Sequence, residues 1–466
     1  MKIALIFTPI SLKRNWSTLI SQDRHVGIIP PLSLAYVAAI AEKAGHRVQI
    51  IDAVAESLSL EATLQRIRDY SPDILGFTLT TYGFHQTLRW INTIRAGSGI
   101  TVMVGGWHLS LYPYETMQHQ SIDYAIIGDA ENTLPGFLNA LESKDSLATV
   151  KGIAFRDNGK FVLTSPAPFT ENLDTIPFPA RHLLKNELYY NILSHRKNFT
   201  AMLSARGCPY QCTFCDLNTK QFRMRSAVNF VDEIDQNYRD FKIREFDIYD
   251  SSFTIDKKRV VDICQEIIKR GLKVSWTARS RVDTVDDNLL CLMAKAGCNT
   301  LMYGIETGDP AILKALKKHT DLESVFDVVQ KTKKYGIKTL GFFMLGSPEE
   351  TAESARKTIQ FSKALDLDYV QVTKLTPFPN TDIYRKLQAS GFGDYWKKFT
   401  LDLEFEEELP SLETELTPHE ISRFVKKAYQ SFYLRPRYIL KALARTRSLL
   451  EFKNLIMAAT GLVFDH

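Results

Sequence analysis

Apolar residues along this chain fall into two rhythms that alternate. Short, nearly continuous apolar runs are followed by stretches with apolar positions three and four residues apart. The first are strands buried on both faces, the second amphipathic helices. Lys2–Phe7 is the first such strand. Pro31–Gly45 is a helix stopped by Gly45. Arg47–Asp52 is a strand, Leu60–Tyr70 has helical spacing, and Asp73–Leu79 is a strand. His85–Ala96 is helical, Thr101–Gly105 and Tyr124–Ile127 are strands, and Glu131–Leu141 is a helix. This alternation over residues 1–145 predicts a doubly wound parallel sheet, which binds ligands in the crevice beyond the carboxyl ends of its strands.

The rhythm breaks at 146–197. Gly152–Thr164 reads as a hairpin with an Asn-Gly turn. Pro166, Pro168, Pro177 and Pro179 then mark an irregular connection, so this segment reads as a linker. Alternation returns over 198–395, with strands expected at Thr200–Ser204, Glu245–Tyr249, Lys273–Ala278, Thr300–Gly304, Thr339–Leu345 and Tyr369–Leu375. That pattern predicts a parallel barrel, complete or partial, whose site lies at the C-terminal strand ends. Residues 396–466 differ again. Leu401–Glu415 is an acidic loop. Thr417–Phe432 is a helix in which Thr417 and Glu420 have capping-box spacing. Tyr433–Leu462 mixes Arg435, Arg437, Lys441, Arg445, Arg447 and Lys453 with apolar residues. Such a tail suits an anionic membrane surface, or else a helix packed on the barrel with a solvated basic face.

The 466 residues allow two or three domains, and the net charge of +5 gives no argument for nucleic acid. The amino-terminal run has no small-residue cleavage site, and no run of about 18 apolar residues exists, so a cytoplasmic protein is expected. Of six cysteines, 208, 212 and 215 are packed together, while 264, 291 and 298 sit in apolar helical patterns as buried core residues. In a reducing compartment the triplet reads as metal-binding or catalytic.

That triplet lies in Arg206-Gly-Cys-Pro-Tyr-Gln-Cys-Thr-Phe-Cys215, just past an expected strand. Thiolates are the usual ligands of iron–sulfur clusters, and three of them leave one iron open to a small molecule. The alternative is a zinc site completed by Asp216 or a distant His.

The Cys-x3-Cys-x2-Cys loop, with Phe214 before its last cysteine, resembles the radical S-adenosylmethionine superfamily. That resemblance implies a four-iron four-sulfur cluster on Cys208, Cys212 and Cys215. Its open iron would chelate the methionine end of S-adenosylmethionine, and electron transfer would yield a 5′-deoxyadenosyl radical. The resemblance further places Phe214, Asp250, Arg279, Glu306 and Gly346 at that ligand. Asp250, in Phe246-Asp-Ile-Tyr-Asp250, would hold the methionine amino group, or would instead be a helix-terminal carboxylate. Arg279, preferred over Arg281, would pair with the carboxylate. Glu306 lies in Gly304-Ile-Glu-Thr-Gly308, and Gly346 ends the segment along adenine.

Thr101-Val-Met-Val-Gly-Gly-Trp-His108 and Asp123-Tyr-Ala-Ile-Ile-Gly-Asp-Ala-Glu131 resemble the cobalamin-binding domains fused to such barrels. Thr78, Thr80, Thr81, Gly105, Gly106, Trp107, His108, Gly128 and Glu131 are the candidates for that cofactor. No Gly-x-Gly-x-x-Gly follows the first strand, which disfavours a dinucleotide. A flavodoxin-like domain without ligand is the alternative. Asp23-Arg-His25-Val-Gly27 is one residue short of the Asp-x-His-x-x-Gly pattern, so His25 is not expected to ligate cobalt.

The fold class that follows is α/β: a Rossmann-like (flavodoxin-like) cobalamin-binding domain over 1–145, a linker, a radical S-adenosylmethionine partial (β/α)6 barrel over 198–395, and a C-terminal helical region. The order of segments resembles the branch of the anaerobic magnesium-protoporphyrin monomethyl ester cyclase and the cobalamin-dependent radical methyltransferases. The expected activity is methyl transfer to a carbon or phosphorus centre, with radical cyclisation or rearrangement as the competing reaction and a cofactor sensor as the non-enzymatic one. The expected partners are a small, possibly hydrophobic substrate and an electron donor such as flavodoxin or ferredoxin.

Overall fold

The computed structural model describes residues 1–10, 27–191, 194, 198–217 and 221–445. His25 and the basic residues beyond Arg445 lie outside the described residues. The expected strands form two large sheets. In the first, β1 (Lys2–Phe7), β2 (Arg47–Asp52), β3 (Ile74–Thr78), β4 (Thr101–Gly105) and β5 (Tyr124–Ile126) are parallel and lie in the order 2-1-3-4-5. That order has its switch point between β1 and β3, where doubly wound sheets open a crevice. Successive residues of β1 explain its unbroken apolar run. Ile3 and Leu5 enter the layer under helix Leu32–Lys43, and Ala4 and Ile6 enter the opposite layer under helix Phe84–Ser98.

The hairpin expected in the connection belongs to this sheet. Its strands β6 (Ile153–Asp157) and β7 (Lys160–Leu163) add antiparallel to β5, with Tyr124 opposite Phe155. The three-residue β5 would otherwise be an open edge. Asn158 and Gly159 take φ of 50° and 78°, as a two-residue hairpin turn requires.

The second sheet contains β8 (Phe199–Met202), β9 (Glu245–Ile248), β10 (Ser275–Ser280), β11 (Cys298–Glu306), β12 (Lys338–Leu345) and β13 (Tyr369–Lys374). They are parallel and neighbour one another in chain order. β8 and β13 do not pair, so the barrel is partial. Outward residues such as Phe246, Ile248, Trp276 and Ala278 pack under the helices. The alternate positions carry Asp247, Thr277 and Arg279, which bond to one another. Cys264 and Cys298 are buried as expected, but Cys291 is only half-buried, on the less covered side of its helix.

Helix Pro418–Tyr433 begins at the expected capping box of Thr417 and Glu420. It lies along β13, where the Tyr429 and Tyr433 hydroxyls accept the Val372 and Val370 amides. Helix Tyr395–Leu401 instead docks on the first domain, so the C-terminal region touches both units. Among the described residues no helix is long and apolar enough to cross a membrane.

Candidate functional site

The three cysteines hang from a narrow neck. Ala205–Arg206 and Arg223–Met224 pair antiparallel, with Arg206 opposite Arg223. Next to that pair Gly207 has φ +83°, and a Cβ there would stand 2.1 Å from the Gln221 carbonyl oxygen, so only glycine closes the neck. Within the loop, the Thr213 amide donates to Leu316 O at 3.1 Å, and its carbonyl accepts the Ile383 amide at 3.2 Å. Phe214 packs with Ile312, Leu316, Leu375 and Ile383. The loop is thus held from both sides, and its three cysteines form no disulfide and are partly exposed. Burial raises the Cys212 thiol, against the lowering fields of Lys318 and Arg281. Among the described residues no three His, Cys, Asp or Glu side chains converge as ligands of a single ion.

Asp250 is placed differently from the sequence expectation. Its carboxylate is buried and accepts the amides of Ser204 at 2.7 Å and Ala205 at 3.0 Å, together with the Ser204 hydroxyl. Arg259 stands 3.8 Å away. With its acceptors taken by the strand leading into the cysteine loop, Asp250 is an anchor of that loop rather than an open ligand for an amino group. The two arginines after β10 also divide. Arg279 is held by Asp247 at 2.7 Å and stacks on Tyr249 at 3.9 Å. Arg281 stacks on Tyr210 of the cysteine loop at 3.8 Å and donates to Lys318 O at 2.8 Å. Arg281, the less preferred of the pair, is therefore the one at the cysteines.

Glu306 ends β11 with φ +72°, after a register shift between Gly304 and Glu306. The strained turn aims its carboxylate at Lys318 Nζ, 2.7 Å away, with both side chains nearly buried. Lys318 carries no sequence motif; only the chain's return from helix Pro310–Ala315 brings it here. Asp247 was also missed, although its alternation with Tyr249 on one strand puts both on the inner face. Gly346 has φ +90°, and its amide donates to the buried Glu350 carboxylate at 3.1 Å.

In the first domain, Gly105 and Gly128 end the neighbouring strands β4 and β5. Nothing lies within 4 Å of where a Cβ on either would stand, so the crevice mouth is open there. Gly106 has φ +114° and packs against the Leu79 backbone beside Thr78. Thr80 and Trp107, which follow β3 and β4 in the chain, are both half-buried. This cradle fits an extended cofactor tail. Three candidates are corrected. His108 is wholly buried between the Thr81 and Thr400 hydroxyls, at 3.2 and 3.0 Å. Burial, with His85 and His119 nearby, lowers it to about 3. It and Thr81 therefore seat the C-terminal helix and do not face the crevice. Glu131 pairs with Arg206 of the cysteine-loop neck, so its carboxylate is committed between the domains.

A model of the B12 binding domain matches residues 24–138, and one of the radical SAM superfamily matches residues 202–362. The chain is 34% identical over 451 residues to an uncharacterized methyltransferase of Pyrococcus horikoshii, covering 95% of this chain and 94% of that one. It is 30% identical over 373 residues to the anaerobic magnesium-protoporphyrin IX monomethyl ester cyclase of Rubrivivax gelatinosus, covering 77% of this chain and 66% of that one. Among solved structures, the cobalamin-dependent S-adenosylmethionine radical enzyme OxsB, with aqua-cobalamin and S-adenosylmethionine bound, has a TM-score of 0.72 to this chain. The match covers 98% of this chain and 70% of that one at 16% identity, a likeness of fold.

Proposed function

The chain belongs to the radical S-adenosylmethionine superfamily, in the branch that carries a B12 binding domain, and from that premise we propose that it is a methyltransferase. Its substrate is a small molecule with an unactivated carbon or a phosphorus centre. One observation carries the reading: a three-cysteine loop hangs from a neck that pairs with Asp129 and Glu131, next to the open crevice-mouth glycine Gly128, in one chain. When bound, the cluster with S-adenosylmethionine supplies a 5′-deoxyadenosyl radical, and cobalamin supplies the methyl group.

The chain's own residues orient these groups. Cys208, Cys212 and Cys215 hold the cluster. Arg281 and the Glu306–Lys318 pair line its cysteine loop, where they offer opposite charges to a zwitterionic methionine end. Gly346 turns the chain at the strand end with φ +90°, close against Ile421. Gly105, Gly106, Gly128 and Thr78 border the cobalamin crevice. Arg279 is held by Tyr249 and Asp247 on the inner side of the barrel strands. A one-electron donor such as flavodoxin or ferredoxin would supply the electron, and a reducing cytoplasm suits three cysteines that form no disulfide.

The test is anaerobic reconstitution with iron, sulfide and cobalamin, followed by S-adenosylmethionine labelled in its methyl group and extracts of the source cell. Methyl label in a product, with 5′-deoxyadenosine formed, supports methyl transfer. Deoxyadenosine with an unlabelled, rearranged product favours the cyclase type. Absence of deoxyadenosine sinks both and leaves a sensor.

A further inference from the structure

Arg206 and Arg223 stand directly opposite each other on the two-stranded neck from which the cysteines hang. Like charges in that position repel and weaken a ribbon, and this ribbon is only two residues long on each side. The Arg223 side chain is 4% exposed and that of Arg206 20%, so water screens their repulsion only in part. What neutralises them comes from the other domain. The loop after β5 brings Asp129 Oδ2 to 2.8 Å from Arg223 Nη1 and 3.3 Å from Arg206 Nη1, so one carboxylate bridges both cations. Glu131 pairs with Arg206 as well. Arg223 also donates to Thr170 O at 2.9 Å, and the two guanidinium groups lie over the rings of Phe169 and Tyr36, again outside the barrel. Removing the carboxylates would leave a buried Arg223 and a partly buried Arg206 facing each other unpaired, which is costly.

We propose that Asp129 and Glu131 are positioning residues for the cluster: carboxylates of the cobalamin-binding domain that hold closed the neck of the cysteine loop. The same loop carries Gly128 at the crevice mouth, so one short segment borders the cobalamin crevice and braces the cluster's anchor. This rests on the reading of the cysteine loop as a cluster site. It makes cluster retention a property of the docked domain pair.

The experiment compares the reconstituted full chain with Asp129→Asn/Glu131→Gln, reading iron loss to a chelator and the electron paramagnetic resonance signal of the reduced cluster. The loss of charge-assisted hydrogen bonds predicts iron loss faster by at least about tenfold. Glu131→Gln alone, the milder change, shifts the rate in the same direction. Adding Arg206→Met and Arg223→Met to the double variant removes the repulsion and returns the rate most of the way to wild type. Unchanged iron retention in the double variant overturns the proposal, as does failure of the arginine changes to restore it. A wild-type chain that holds no iron would sink the cluster reading itself, and this inference with it.

Discussion

Lys318 Nζ stands 2.7 Å from Glu306 Oε1, and Gly304, two residues before that glutamate, leaves the space in which they meet. A Cβ on Gly304 would lie 2.6 Å from that oxygen and 2.8 Å from that nitrogen. The pair is almost dry and sits against the cysteine loop. Lys318→Met strands the Glu306 carboxylate, at a cost of about 3–5 kcal/mol. Gly304→Ala forces the pair apart, at about 1–3 kcal/mol. Denaturant titration of both variants checks the order. Both also weaken S-adenosylmethionine binding at full cluster occupancy.

Cys212→Ala removes one of three thiolates. The expected outcome is loss of the cluster's visible absorbance and of all 5′-deoxyadenosine, with an unchanged far-ultraviolet circular dichroism spectrum. Retained turnover would refute the mechanism.

Asp250 and Arg281 separate an anchor from a ligand contact. Asp250→Asn weakens the tie to Ser204 and Ala205, for a loss of about 1–3 kcal/mol in stability and easier loss of iron. In molecules that keep the cluster, S-adenosylmethionine affinity stays near wild type. Arg281→Met does the reverse, with a weakened ligand and a retained cluster. Ligand-induced change in the reduced cluster's resonance signal measures both.

Gly105→Leu fills the open crevice mouth. Binding of hydroxocobalamin, followed by its absorbance, falls by at least about tenfold, equivalent to about 1.4 kcal/mol. Cluster content and uncoupled deoxyadenosine formation remain. Equal cobalamin binding in the variant would place the cofactor elsewhere.

His108 gives a pH dependence with a fixed sign. Its folded value lies near 3, against 6.5 for a free histidine. Between those values the unfolded chain takes up a proton that the folded chain refuses, so stability rises with pH through this window. It is fully present above about pH 6.5 and is lost as pH falls toward 3. Thermal unfolding of the Cys212→Ala variant, which carries no acid-labile cluster, shows the fall, and His108→Leu flattens it. A slope unchanged by His108→Leu would assign it to other groups.

Much of this molecule is local in the sequence. Strands buried on both faces announce themselves as unbroken apolar runs, so β1, β2 and β4 match their expected bounds. The capping box at Thr417 and the turn at Asn158-Gly159 are read within four residues because their hydrogen bonds close within four. The three cysteines are a local spacing too, and they set the chemistry before any fold is known. What pairs with what across the chain is not local. Asp250, Glu131 and His108 have residue types that suit a cofactor. Tertiary packing instead gives Asp250 to the Ser204 backbone, Glu131 to Arg206 and His108 to Thr400. Each is a buried or partly buried polar group that must find a partner, and these partners lie 46, 75 and 292 residues away in sequence. The same long-range closure brings Lys318 to Glu306 without any motif. Sequence by itself determined the two sheets and the cysteine loop. Only tertiary packing, within the barrel and between the domains, decided which of the remaining side chains stay free for a ligand.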